Sequence, residues 1–126
     1  MTQIHAYIHF NGRCREAMTF YKECLGADLE LVEGGQRIVH ASLSKGDLLL
    51  MGSDMHGPYT LIQGNSISLS LNCGSEEEIH VFFQRLSING EVVCDLMTQT
   101  WGALFGVVRD RFGLTWMLNY DRQTQP

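Results

Sequence analysis

Apolar and polar residues alternate at the start of the chain, with Ile4, Ala6, Ile8 and Phe10 interleaved with His5, Tyr7 and His9. A period of two belongs to an extended strand with one apolar and one mixed face, and Asn11-Gly12 breaks it. The period then changes. Cys14, Ala17, Met18, Tyr21 and Leu25 recur at helical spacing, which predicts an amphipathic helix closed by Gly26. Strand-like runs follow over residues 28–33, 37–44 and 47–52, separated by the turns Gly34-Gly35 and Lys45-Gly46-Asp47. A loop over 53–64, containing His56-Gly57-Pro58, closes this half.

The second half replays the first. Ile67, Leu69 and Leu71 alternate with Ser66, Ser68 and Ser70, predicting another half-buried strand. Ser75 and Glu78 form a capping box, in which two side chains satisfy backbone groups left open by the first helical turn. Ile79, Phe82, Phe83 and Leu86 supply the apolar stripe of a second helix, which Asn89-Gly90 ends. Runs at 91–97, 104–109 and 114–120 predict three more strands. Phe20-Tyr21 matches Phe82-Phe83, and Asp54 after one fourth strand matches Asp121 after the other. Self-similarity of this kind marks an internal duplication.

The pattern predicts an α+β fold made of two βαβββ repeats, whose curved mixed sheets surround a cavity. It reads as one domain over 1–126, with repeat one at about 3–54, a linker at about 55–64 and repeat two at about 65–121. Each unit has one helix for a two-faced sheet, so each leaves a face that must find a partner, within the chain or in a second copy.

Composition narrows the function classes. The chain of 126 residues is 44% hydrophobic and 18% charged, a normal globular balance. Its net charge is −5, with 9 Lys and Arg, and Arg109 and Arg111 flank Asp110. That excludes a nucleic-acid surface, which needs clustered cations. No apolar run reaches the roughly 18 residues of a membrane helix, and the start MTQIHAYIHF has no signal-peptide pattern. The expected location is cytoplasmic. Cys14, Cys24, Cys73 and Cys94 show neither CxxC nor metal-finger spacing, so they are expected to be reduced and partly buried. No nucleophilic triad is indicated, since Ser66, Ser68 and Ser70 lack a GxSxG context and neither Cys73 nor Cys94 has a base nearby in sequence.

Phe20-Tyr21-Lys22-Glu23-Cys24-Leu25-Gly26 and Asp110-Arg111-Phe112-Gly113-Leu114-Thr115-Trp116, in that order, resemble the vicinal oxygen chelate superfamily. That superfamily holds glyoxalase I, extradiol dioxygenases and bleomycin-resistance proteins. Tyr7-Ile8-His9-Phe10-Asn11-Gly12, the segment around His40, and Thr100-Trp101-Gly102 before Phe105-Gly106 are similar to its PhnB-like branch. The resemblance spans essentially the whole chain and implies the glyoxalase/bleomycin-resistance fold, often assembled as a dimer. The branch is sometimes labelled a demethylubiquinone methyltransferase. The sequence gives no support to that label: it has no glycine-rich turn for a methyl-donor nucleotide and no alternating βαβ order.

Catalytic members of the superfamily hold a divalent metal with His and Glu from four strands, using it as a Lewis acid. Placed on this chain, those positions fall on His5 (or Ala6), Met51, Ser66 and Met117. Thioethers and a hydroxyl are poor ligands for such an ion, so a glyoxalase-type metal site is expected to be absent and no cofactor is predicted. Met51, Met97 and Met117 instead suit an adaptable apolar lining. The expected pocket residues are His5, Tyr7, His40, Met51, Ser66, Ser68, Trp101 and Met117, and the expected partners are a small apolar or aromatic molecule and a second copy of the chain.

Two rivals stand beside this reading. The first is a metal-dependent lyase, isomerase or dioxygenase with a divalent metal at a rebuilt site around His5 and His40, two of the imidazoles His5, His9 and His40 with Asp54 making a plausible ligand set. His5 and His9 stand roughly 13 Å apart along a strand and cannot share one ion. The second is a metal-free enzyme with His40 as general base. Trp116, alternating with Leu114 and Leu118, is expected in the core, and Asp110 is expected to organise a turn.

Overall fold

The computed structural model describes residues 1–122. Its elements run β1 (Ala6–Phe10), α1 (Cys14–Leu25), β2 (Asp28–Gly34), β3 (Arg37–Lys45) and β4 (Leu48–Asp54) in the first half. The second half runs β5 (Leu69–Asn72), α2 (Glu76–Leu86), β6 (Glu91–Thr98), β7 (Ala103–Arg109) and β8 (Thr115–Asp121). The chain divides into two compact units, Met1–Ile62 and Gln63–Pro126, and the break falls inside the expected linker.

In the first unit the strand order is β1-β4-β3-β2, with β1 parallel to β4 and the other pairs antiparallel. The parallel pair joins the first strand to the last, which requires the intervening helix as a crossover. That helix forms because its apolar residues share one stripe: Cys14, Ala17, Met18, Tyr21, Cys24 and Leu25 are all buried. They cover a sheet face bearing Ala41, Leu43, Leu50 and Phe10, themselves buried. Gly26 ends the helix in the left-handed region at φ 63, its N–H bonding to the Lys22 carbonyl.

The helix start has a less local cause. Arg13 occupies the N-cap position and makes no side-chain cap. Instead Asp54, at the far end of β4, accepts from Cys14 N and from Ile38 N, both at 2.9 Å. One buried carboxylate thus pins the starts of α1 and β3 to the end of β4.

In the second unit the order is β5-β8-β7-β6 with the same parallel and antiparallel pairs, so the duplication read from sequence is a duplication of topology. Here α2 is capped locally. Ser75 Oγ accepts from Glu78 N at 3.1 Å, while Glu78 Oε1 accepts from Gly74 N at 2.9 Å, one residue earlier than the box predicts. Only Ile79 and Leu86 are fully buried on α2, and Phe82 and Phe83 are half-buried. Gly106 lets Phe83 approach the sheet: a Cβ there would lie 2.6 Å from Phe83 Cε2. Asp110 behaves as expected, accepting from Phe112 N and Leu114 N in the β7–β8 turn, and it also accepts from Trp116 Nε1 at 2.7 Å in the core.

The structure corrects two strand starts. β1 begins at Ala6, not Ile4, which is 95% exposed; β4 pairs with β1 only from Leu50↔Ala6 onward. β5 begins at Leu69, not Ser66, and Ile67 is 82% exposed. For Ile67 the neighbouring strand has run out, since β8 begins at Thr115 and Leu69 pairs with Trp116, whereas β4 still reaches back to Leu48 and it is β1 that leaves the sheet before Ala6. No helix among the described residues is long and apolar enough to cross a membrane.

Candidate functional site

Because α1 covers one face of the first sheet, strand parity places the alternate residues on the other. There Tyr7 pairs with Met51, Met51 with Ser42 and Ser42 with Glu30, a row running across all four strands. The next row holds His9 opposite Ser53, and His40 opposite Val32. The aromatic side chains of these rows gather. Tyr7 Oη lies 3.4 Å from His40 Nδ1, and the Tyr7 ring centroid is 5.3 Å from His9 and 5.8 Å from His40, tilted by 44° and 40°. Such separations suit edge-to-face contact. The group is partly open, with Tyr7 42% exposed and His40 and Met51 half-buried.

The open face of the second sheet has the same frame and different chemistry. Its central row is Ser70, Met117, Val107 and Cys94, and beside it run Asn72, Asn119, Phe105 and Met97. Met51 and Met117 occupy matching places, each on the last strand of its unit, beside the parallel first strand.

The residues predicted for the site are therefore distributed as follows. Tyr7, His40 and Met51 share the first open face, and Met117 lies on the second. His5 precedes β1, is exposed, and has its Nε2 3.2 Å from Gln3 Oε1. Ser66 and Ser68 are exposed ahead of β5, and Ser70 is the serine that the open face presents. Trp101 stands 58% exposed in the β6–β7 turn. Ser70, Phe105 and Asn119 belong to these faces and are absent from the predicted set, and His9, named from sequence only as a possible metal ligand, belongs to the first. Their signal was parity counted from Tyr7 and Met117.

Asp54 is corrected as a metal ligand. Both carboxylate oxygens accept backbone N–H groups, and it lies buried at the start of the helix. Both of its oxygens are already engaged in holding the fold. Nor do the open-face rows fit a divalent ion. Methionine thioethers stand in the central places, and in the Tyr7 row the carboxylate is Glu30, three strands away and roughly 14 Å across the sheet. Among the described residues no group of three or more His, Cys, Asp or Glu side chains is placed to hold a metal ion.

The cysteines are all free. Burial, assisted by the Asp54 carboxylate, pushes the Cys14 thiol up to about 12. Burial, assisted by Glu78, does the same to Cys73. Both are held as neutral thiols, the opposite of an activated nucleophile. Cys94 is exposed on β6.

A separate cleft of about 580 Å³ opens in the first unit, between the first turns of α1 and the β2–β3 turn. Arg15, Glu16, Thr19, Glu33, Gln36 and Arg37 stand around it, and it shares no residue with the Tyr7 group.

The comparisons agree with the duplicated fold. A structure of PA1353 from Pseudomonas aeruginosa is 38% identical, with 96% of this chain and 98% of that one covered at a TM-score of 0.82. The PhnB protein from Bacillus cereus is 23% identical, covering 94% and 99% at a TM-score of 0.76, a likeness of fold. Protein YjdN of Escherichia coli strain K12 is 25% identical over 93% of this chain and 94% of its own length. The family model described as Glyoxalase/Bleomycin resistance protein/Dioxygenase superfamily matches residues 3–118. With that match over a fold of two βαβββ units, the chain belongs to the glyoxalase/bleomycin-resistance/dioxygenase superfamily.

Proposed function

We propose that this protein binds a small apolar or aromatic molecule, with the open face of the first sheet as its recognition surface and no glyoxalase-type metal. One observation supports this above the rest: Tyr7, His9 and His40 form a ring cluster beside Met51 on a face that α1 does not cover. Tilted rings offer edges and faces to a flat ligand, a methionine adapts to its outline, and the Tyr7–His40 pair supplies a polar handle. The second open face, with Met117, Phe105 and Met97, offers the same kind of apolar contact.

Fluorescence titration with dansylamide tests the reading. Saturable, blue-shifted binding is expected, weakened about tenfold by Tyr7→Ala, the order of one lost aromatic contact, and by Met51→Glu. Binding unchanged in both variants would overturn it. Elemental analysis of protein purified without chelators tests the metal-free part. One ion per chain surviving dialysis would instead favour the rebuilt site around His5 and His40, and its loss in His5→Ala and His40→Ala would identify the ligands. A homodimer is proposed as the assembled form, because each unit has a helix on one sheet face only; light scattering on the purified chain decides it.

A further inference from the structure

We propose that the cleft at the start of α1 is a second binding site, which takes a small molecule bearing an oxyanion, a carboxylate or a phosphate, on Arg37. The cleft of about 580 Å³ lies within the size range of small-ligand sites. Its lining is charged and polar rather than apolar, so its chemistry differs from that of the ring cluster.

Charge pairing inside the cleft singles out Arg37. Glu16 is matched by Arg13 at 3.3 Å, and Glu33 by Arg15, a pair joining the helix to the hairpin. Asp54, which also lines the cleft, has both oxygens on backbone N–H groups, one of them the Cys14 amide of the helix start. The helix amide is therefore already used and is not the anion's partner. Arg37 remains. It is half-buried, and its Nη1 donates to the Asp54 carbonyl oxygen at 3.1 Å. That bond fixes the planar fork while leaving its other N–H groups without a partner among the described residues. A fixed guanidinium matches the two-oxygen geometry of a carboxylate or phosphate and loses little freedom on binding one. The Thr19 hydroxyl and the Gln36 amide line the same space and have no partner among the described residues, so each can donate to the same ligand.

The ion pair Arg15–Glu33 gives the site a built-in test. Both members are more than half exposed, so breaking the pair costs the fold little. Glu33→Gln removes a negative charge from the lining and releases Arg15 as a second cation.

The experiment is an NMR titration of the full chain with inorganic phosphate and, separately, with malonate, against sodium chloride at equal ionic strength. Saturable shifts are expected at the amides of Gly12, Thr19, Gly35, Gln36 and Arg37, with at least one of the two anions. Saturation by phosphate alone assigns a phosphoryl group, by malonate alone a carboxylate, and by both an oxyanion in general. Arg37→Gln is expected to weaken binding about tenfold or more, the scale of one charge-assisted hydrogen bond, and Glu33→Gln to tighten it several-fold. The proposal falls if the shifts track ionic strength as they do in chloride. It falls equally if Glu33→Gln leaves the affinity unchanged, an arm that stands even if Arg37→Gln does not fold. Neither result bears on dansylamide binding, because the two sites share no residue.

Discussion

The two units share one strand order and differ in what fastens them. In the first, six residues of α1 are buried and a carboxylate from the end of β4 caps the helix from a distance. In the second, two residues of α2 are buried, and Ser75 caps the helix from its own start. The second unit places its buried carboxylate elsewhere: Asp110 ties the β7–β8 turn to the Trp116 indole. The open faces differ as well: Tyr7 and two imidazoles stand beside Met51 on one, while Met117, Met97, Phe105 and two asparagines stand on the other, with no histidine among them. A repeated topology therefore needs only the repeated pattern of faces. The polar groups that lock each copy, and the chemistry of its free face, vary independently.

The largest test of this contrast compares matched helix positions. Tyr21 is fully buried and Phe83 half-buried, so Tyr21→Ala should cost about 3–5 kcal/mol and Phe83→Ala clearly less. Urea denaturation measures both, and equal losses would break the contrast. Next come the buried carboxylates. Asp54→Ala strands two buried N–H groups and Asp110→Ala strands an indole N–H and two turn amides, so each should cost about 2–4 kcal/mol. Asp54→Asn should rescue little, because one amide NH2 would face a backbone N–H. A smaller effect, about 1 kcal/mol, is expected for Ser75→Ala, the loss of one local cap.

The least perturbing test uses the thiols, one raised in each unit. In the native protein Cys94 should react with Ellman's reagent at neutral pH, while Cys14, Cys24 and Cys73 react only after denaturation. Cys14 and Cys73 have folded values raised to about 12 from 9.0. Their contribution is complete below about 9, where both states hold the proton. Above that the unfolded chain loses protons that the folded one keeps, so stability should fall as pH rises from about 9 toward 12. Denaturation midpoints across that window check the sign, and a rise would contradict it.

Much of this was legible because it depends on local periodicity. The stripe Cys14–Ala17–Met18–Tyr21–Leu25 and the capping residue Ser75 required no knowledge of the rest of the chain. Parity alone also put Tyr7, His40 and Met51 on faces away from Ala41 and Leu50. The misreadings share one cause. Ile4 and Ile67 continue a strand pattern, yet pairing to the neighbouring strand starts only at Ala6 and Leu69. Asp54 reads as a free carboxylate at a strand end, and only folding brings Cys14 N and Ile38 N onto it.

The sequence by itself determined the two βαβββ units, the apolar stripe that each helix turns to its sheet and the strand faces on which Met51 and Met117 stand. These follow from side-chain spacing along one element, where neighbours in sequence are neighbours in space. Tertiary structure alone decided which polar groups meet. The Tyr7–His40 pair, the Asp54 clasp and the Arg37 cleft each join residues from separate strands or a helix, and no local period encodes the distance between them.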